Sequence, residues 1–113
     1  MKKGLTTHVL DVTRGKPAEG IKVELWKMVT QSKIYLASGF TNEDGRLETP
    51  LLETVEAGEY ELLFHVEEYV NKVNTTNSFF TIIPIRFRME ETEDHYHIPL
   101  LLSGFGFQTY RGS

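Results

Sequence analysis

Cysteine is absent from this sequence of 113 residues. Its absence excludes disulfide bonds, cysteine-ligated metal sites and thiol nucleophiles, and it is compatible with a reducing compartment. Long apolar runs are also missing, and nothing approaches the ~20 residues that a membrane helix needs. The basic start leads directly into Thr6 and Thr7, without the apolar core of a secretory signal. We therefore expect a cytoplasmic protein that neither crosses a membrane nor carries an export signal.

Positive charge is scarce as well, since 16 acidic residues outnumber 12 lysines and arginines and the net charge is −4. The basic residues form no cluster of the kind that nucleic acid or an anionic lipid surface attracts, so we expect neither partner. There is no Gly-x-Ser-x-Gly nucleophile motif and no phosphate-binding Walker loop. A length of 113 residues is that of one ordinary domain, and residues 1–113 are predicted to form a single domain.

Short segments of alternating polarity, separated by Gly, Pro, Asn and Asp, dominate the chain and are typical of half-buried antiparallel strands. Strands are predicted at residues 5–12, 21–28, 34–40, 58–66, 82–89, 96–102 and 105–110, with a short one after Arg46. The turn before Arg46 contains Asp-Gly, a pair that favours tight hairpins. One helix is predicted over residues 67–73, which begin with acidic residues and lack Gly and Pro, and residues 74–78 end it. The pattern predicts an all-β fold, a two-sheet β-sandwich of about eight strands with one short helix.

The histidines are the first candidates for chemistry, because imidazole moves protons near neutral pH. Alternation along residues 96–102 assigns Tyr96 and Ile98 to the core and points His97 to the opposite face. Alternation does not settle the direction of His8, which shares its side with Thr6, Leu10 and Val12. His65 and, less clearly, His95 are interpreted as ordinary strand residues. An alternative is a zinc site formed by His8, His95 and His97. We favour catalysis without metal, because only the spacing of these residues suggests a metal ion.

The last four residues, Tyr110 to Ser113, place an aromatic ring, a guanidinium, a glycine and a hydroxyl side by side. Most terminal segments are frayed and carry polar filler, so this composition indicates a segment that completes a site. Taken singly, the tail could be a closing strand and Arg46 a charge beside a turn. The acidic stretch at residues 90–94 is interpreted as a solvated loop.

Six segments taken together, in order and over essentially the whole chain, resemble the transthyretin-related 5-hydroxyisourate hydrolase family. They are Leu5-Thr6-Thr7-His8-Val9-Leu10-Asp11, Gly15-Lys16-Pro17-Ala18, Thr41-Asn42-Glu43-Asp44-Gly45-Arg46, Pro84-Ile85-Arg86-Phe87, His95-Tyr96-His97-Ile98-Pro99-Leu100-Leu101-Leu102-Ser103 and Tyr110-Arg111-Gly112-Ser113. The resemblance implies a transthyretin-like β-sandwich that assembles as a homotetramer, a dimer of dimers, with active sites in a channel where the dimers meet. It also implies hydrolysis of 5-hydroxyisourate to 2-oxo-4-hydroxy-4-carboxy-5-ureidoimidazoline in urate breakdown, without a metal or organic cofactor.

The resemblance also implies site residues by position. The implied catalytic residues are His8, Arg46, His97 and Ser113, and the implied substrate-binding residues are Tyr110, Arg111 and Gly112. These residue types fit the reaction: hydrolysis of a cyclic amide needs an activated water, a positive charge for the oxyanion and a proton for the leaving nitrogen. The two histidines would activate water and transfer protons, with no division of these tasks between them, and Arg46 would hold the ring and its developing charge.

The chain departs from the family pattern near its end. Ser103-Gly104 stands where Ser-Pro is usual, which relaxes the turn, and Phe107-Gln108 stands where a tyrosine and a serine are usual. A phenylalanine at this position lacks a hydroxyl for the pocket wall.

Two other classes of protein remain open. A carrier that holds a small aromatic ligand in a central channel predicts binding without turnover, and it has no need of proton-transfer groups. A structural or adhesion sandwich predicts an export signal or neighbouring modules, and we expect neither here.

Overall fold

Two four-stranded sheets form the molecule in the computed structural model, which describes residues 3–74 and 77–113. The strands are Gly4–Asp11 (β1), Lys16–Pro17 (β2), Lys22–Val29 (β3), Ser32–Phe40 (β4), Gly58–His65 (β5), Ile82–Met89 (β6), His95–Leu102 (β7) and Phe107–Thr109 (β8), and the helix is Glu67–Val73 (α1). The strand orders are β2-β1-β7-β8 and β4-β3-β5-β6. The predicted all-β sandwich is confirmed, with eight strands and one helix in the described residues.

The core lies between the two sheets and is built by the predicted alternation. Both sheets contribute fully buried side chains to it: one supplies Val23 and Leu25 of β3 and Leu62 of β5, and the other supplies Leu100 of β7. Each such aliphatic side chain contributes roughly 1.5–3 kcal/mol when it leaves water. The alternate residues of β1 and β7, apart from the buried Gly4 and Pro99, are half-buried and form the outer face of their sheet.

Helix α1 has the predicted bounds, Glu67–Val73. It buries Tyr69 and Val70, and the Tyr69 hydroxyl donates a hydrogen bond of 2.8 Å to the buried carboxylate of Asp11 at the end of β1. Of the segment predicted to end the helix, residues 75 and 76 lie outside the described residues, as do residues 1 and 2 of the basic start. Within the described ranges, no helix has the length and apolar character to span a membrane.

Three predictions about the strands are wrong. Residues 46–57, all of which the structure describes, form no strand and make isolated bridges with β1 at His8–Arg46 and Leu5–Leu52. Lys16–Pro17, left outside the predicted strands, pairs with the end of β1 as β2. The last strand covers Phe107–Thr109 and not 105–110, because residues 103–106 form a tight turn closed by a Ser103 N–H to Gly106 carbonyl bond of 2.9 Å.

The pairing of β1 with β7 is parallel and determines what lies together on the outer face. Its register places Thr6 opposite His97 and His8 opposite Pro99. Residues from the two ends of the sequence thereby become neighbours in one sheet.

Candidate active site

A row of three half-buried imidazoles lies on the outer face of the sheet formed by β2, β1, β7 and β8. His8 extends from β1, and His95 and His97 extend from β7. The His97 ring is nearly parallel to both of the others, with its centroid 6.5 Å from that of His8 and 6.3 Å from that of His95. The prediction that His97 points away from the core is therefore confirmed. His8, whose direction the sequence left open, points to the same face.

Arg46 reaches this row through the turn at residues 42–45. The Asn42 carbonyl accepts the Gly45 N–H at 2.9 Å, and the Asn42 side-chain oxygen accepts the Arg46 N–H at 3.2 Å. Gly45 has φ +74°, as a tight Asp-Gly turn requires. Immediately after this turn, Arg46 forms an isolated bridge with His8.

Gly45 is also needed because the turn packs directly on β1. A Cβ atom at this position would lie 2.4 Å from the Val9 carbonyl oxygen and 3.3 Å from Cδ2 of His8. The Gly45 carbonyl in turn accepts the Val9 N–H at 2.9 Å. The bare backbone of the turn thus forms one wall beside the His8 ring.

The charge state of His8 follows from this packing. Burial, and then the positive charge of Arg46, lowers the pKa of His8 below its ordinary value. Both causes disfavour the imidazolium form, so His8 is a neutral imidazole at neutral pH. A neutral imidazole can accept a proton from water, which an imidazolium cannot do.

Thr6 links the other two imidazoles. Its Oγ1 lies 2.8 Å from Nδ1 of His97 and 3.1 Å from Nε2 of His95. A threonine hydroxyl has one proton to donate and accepts on its oxygen, so it bonds both rings when one ring nitrogen carries hydrogen and the other does not. The three side chains form one hydrogen-bonded unit.

The predicted tail meets this row through its backbone. The Gly112 N–H donates a hydrogen bond of 2.6 Å to the His97 carbonyl, and the two residues form an isolated bridge. A Cβ atom on Gly112 would lie 2.8 Å from Cδ2 of His97 and 3.3 Å from Cδ of Pro99. The tail backbone can approach the catalytic candidate His97 this closely because residue 112 is a glycine.

The other tail side chains have different surroundings. The Arg111 guanidinium lies 4.5 Å from the ring centroid of Tyr96, on the core side of β7, and donates to Glu93 at 3.2 Å. Tyr110 and Arg111 line an open cleft of about 200 Å³ with Ile85 and other residues at the edge of the sandwich. Ser113 is exposed. Within this chain, the structure brings His8, Arg46, His97 and Gly112 together, and it places Arg111 on the opposite side of β7.

The departures from the family pattern lie away from the imidazole row. Phe107 pairs with core-facing Leu102, and its ring packs edge-to-face against Phe80 with centroids 5.3 Å apart. The phenyl ring thus contacts Phe80 at the edge of the core. The Gly104 carbonyl accepts the Phe79 N–H at 3.0 Å, so the turn without proline is held by a backbone hydrogen bond.

A groove of about 380 Å³ adjoins the row, with Thr6, Arg46 and Glu48 among its lining residues. Positive charge from Arg46 at its wall suits an anionic or strongly polar ligand. In the part of the chain that the structure describes, no three His, Asp or Glu side chains are grouped so that they could hold a metal ion. The alternative zinc site of His8, His95 and His97 is therefore not formed in this arrangement.

Sequence reasoning does not identify Thr6 or assign His95 to the site. Alternation does place Thr6 on the same side of its strand as His8, which is a usable signal. The contact with His95 and His97 depends on the parallel pairing of β1 with β7, and a single sequence does not reveal which strands pair.

These features define a class of protein: a transthyretin-like two-sheet sandwich that carries histidines and an arginine on the outer face of one sheet. Residues 5–112 match the model of the HIUase/Transthyretin family. The chain belongs to this family, and the resemblance noted in its sequence is confirmed.

Relatives within the family are similar over the full chain. A 5-hydroxyisourate hydrolase of Halalkalibacterium halodurans is 46% identical over 120 residues, covering 100% of both chains. The solved 5-hydroxyisourate hydrolase of Klebsiella pneumoniae is 35% identical, with a TM-score of 0.79 and 100% of both chains covered. A crystal structure of (S)-allantoin synthase is 40% identical with a TM-score of 0.89, and the match covers 99% of this chain. This chain spans 44% of the length of that synthase.

Proposed function

We propose that this protein is an enzyme that hydrolyses 5-hydroxyisourate to 2-oxo-4-hydroxy-4-carboxy-5-ureidoimidazoline in urate breakdown. One observation carries the proposal: Arg46 is bridged to His8, and the His97 ring lies 6.5 Å from the His8 ring, on one open face. Full-length relatives at 46% and 35% identity are hydrolases of this substrate, which supports the same activity here.

The proposed chemistry is the addition of water to a ring carbonyl. An imidazole takes a proton from water as the water oxygen bonds to the carbonyl carbon, and the electron pair of the C=O bond moves to oxygen. Arg46 stabilises that oxyanion. The oxyanion then collapses, the C–N bond breaks, and a proton passes from an imidazole to the leaving nitrogen. His8 and His97 share these transfers, and no metal or organic cofactor takes part.

The tail residues Tyr110, Arg111, Gly112 and Ser113 are proposed to complete the substrate pocket. Gly112 supports this role, since its backbone is bonded to His97. For Arg111 the role requires the guanidinium to leave Tyr96 and Glu93, or to act across a subunit boundary. We propose that the protein is a homotetramer, a dimer of dimers, because the imidazole row lies on an outer face that one chain does not enclose. Sedimentation velocity of the purified protein measures this assembly state directly.

The activity is tested by generating 5-hydroxyisourate in place with urate oxidase and following its ultraviolet decay. We expect the protein to accelerate decay, and His97→Ala or removal of residues 110–113 to abolish the acceleration. His65→Ala is the matched control, because His65 lies at the end of β5 and pairs with Glu24 at 3.2 Å, away from the imidazole row.

Decay at the spontaneous rate with the wild-type protein would contradict the hydrolase proposal. If urate or a similar ring still bound under those conditions, the result would favour a carrier. Full activity of His97→Ala would overturn the assignment of His97 alone.

A further inference from the structure

Thr6 and His95 are linked to His97 by hydrogen bonds that the hydrolytic chemistry above does not use. Thr6 Oγ1 contacts Nδ1 of His97, which leaves the other ring nitrogen, Nε2, as the atom that could exchange a proton with the substrate. The same hydroxyl contacts Nε2 of His95, which is half-buried at the start of β7. The chain of atoms runs from one imidazole through a hydroxyl to a second imidazole.

This connectivity allows two arrangements of the hydrogens. If the Thr6 hydroxyl donates to His97, it accepts from His95, and Nε2 of His97 is the nitrogen that carries hydrogen. If the hydroxyl donates to His95, it accepts from Nδ1 of His97, and Nε2 of His97 is the nitrogen without hydrogen, which can accept a proton. Reversing one hydroxyl therefore changes His97 between a proton donor and a proton acceptor at Nε2.

We propose that Thr6 and His95 form a proton relay that resets His97 during turnover, an inference that rests on the proposed hydrolase function. When Nε2 of His97 takes a proton, its Nδ1 proton passes to Thr6 Oγ1 and the Thr6 proton passes to Nε2 of His95. His97 stays neutral, and His95 becomes the imidazolium. When His97 gives its Nε2 proton to the leaving nitrogen, the three transfers run in reverse and restore the starting state.

The relay has an energetic advantage that follows from its surroundings. It moves positive charge from His97, which shares the row with Arg46 and His8, to His95 at the far end of the row. Arg46 is positively charged and is bridged to His8 at the other end of the row, so moving the charge to His95 favours protonation at His97. Thr6 and His95 are thus positioning residues, which act through His97.

Thr6→Val tests the relay, because valine has the shape of threonine and lacks the hydroxyl. We expect kcat to fall on the order of tenfold, with a smaller change in KM, since general acid–base catalysis is weakened and substrate contacts are retained. Thr6→Ser keeps a hydroxyl and should restore kcat to within about threefold of the wild type. His95→Phe should cost as much as Thr6→Val, and the double variant no more than either, because both remove one unit.

Thr7→Val is the matched control. Thr7 is the next residue of β1, but its hydroxyl faces the core and donates to the Ile98 carbonyl at 2.6 Å. Removing the Thr7 hydroxyl lowers the stability of the fold but changes no contact of the imidazoles, so kcat should stay within about twofold of the wild type. If Thr7→Val slowed turnover as much as Thr6→Val, the relay would be refuted in favour of a general loss of structure.

A spectroscopic readout separates the relay from the hydrolase proposal. The ¹⁵N chemical shifts of His97 report which ring nitrogen carries hydrogen, and they need no substrate. We expect Thr6→Val and His95→Phe to shift the tautomer balance of His97, and Thr6→Ser to leave it unchanged. Unchanged His97 shifts in Thr6→Val, or a wild-type kcat in that variant, would overturn the relay. A wild type that shows this coupling but no turnover would instead refute the hydrolase function.

Discussion

Replacing Gly112 by alanine tests whether the tail acts on His97 through its backbone. The added Cβ atom would lie 2.8 Å from Cδ2 of the His97 ring. Carbon atoms in favourable contact are about 3.5–4.0 Å apart, so the ring or the tail must move by roughly 1 Å. If the tail moves, the 2.6 Å hydrogen bond from the Gly112 N–H to the His97 carbonyl is weakened too.

A displacement of this size has a predictable effect on rate. Misplacing a catalytic group by about 1 Å can cost on the order of 100-fold, and we expect kcat/KM of Gly112→Ala to fall between 10- and 100-fold. That loss corresponds to about 1.4–2.7 kcal/mol of transition-state stabilisation. The measurement is the ultraviolet decay of 5-hydroxyisourate generated by urate oxidase, with circular dichroism to confirm that the variant is folded.

Gly106→Ala is the matched control, because a Cβ atom at this position would have Ser103 Oγ as its nearest neighbour, 3.7 Å away. This is an ordinary van der Waals contact, and we expect activity within about twofold of the wild type. If Gly112→Ala were as active as Gly106→Ala, close backbone approach to His97 would not be needed for catalysis.

Two further predictions concern the turn that carries Arg46. In Arg46→Gln, the pKa of His8 measured by NMR titration should rise, because a positive charge that lowers it is removed. The pKa should still lie below the ordinary value, because burial is the larger cause. The protonated fraction of His8 at mildly acidic pH then increases, and a fall in the pKa of His8 would contradict this account. Gly45→Ala should lower the free energy of unfolding in urea by roughly 2–4 kcal/mol, since φ is +74° and the new Cβ would meet the Val9 carbonyl oxygen at 2.4 Å. Gly20→Ala, with φ +89° and no atom within 4 Å of the new Cβ, should cost only about 1–2 kcal/mol, and equal losses would show that the steric contact at Gly45 is relieved.

Local pattern was sufficient for most of the fold. Alternation identified the core-facing residues Tyr96 and Ile98. Acidic residues in the first turn, together with the absence of Gly and Pro, predicted the bounds of α1, Glu67–Val73. It failed after Arg46, where a strand was expected. The chain there pairs with β1 through isolated bridges and forms no continuous ladder. Whether such a segment becomes a strand depends on the neighbour it meets, which local pattern does not contain.

Part of the candidate site, too, was predictable from the sequence and part was not. The types of residue that suit amide hydrolysis were visible in the sequence, and the resemblance to the family selected His8, Arg46, His97 and the tail. Thr6 was not identified, because its importance comes from contacts with residues that lie 89 and 91 positions away. The location of the Arg111 guanidinium against Tyr96 was also inaccessible, since it depends on how the tail crosses the edge of the sandwich.

The sequence by itself determined the all-β class, the alternation that fills the core, the tight turn before Arg46 and the residue types available for chemistry. These follow from short-range effects: the two-residue period of a strand, the positive φ that glycine permits and the acid–base properties of imidazole. The tertiary structure decided which of these residues meet. Parallel pairing of β1 with β7 placed three imidazoles on one face, and the bridge of Gly112 to His97 brought the tail to them, because contacts between distant segments depend on how the whole chain packs.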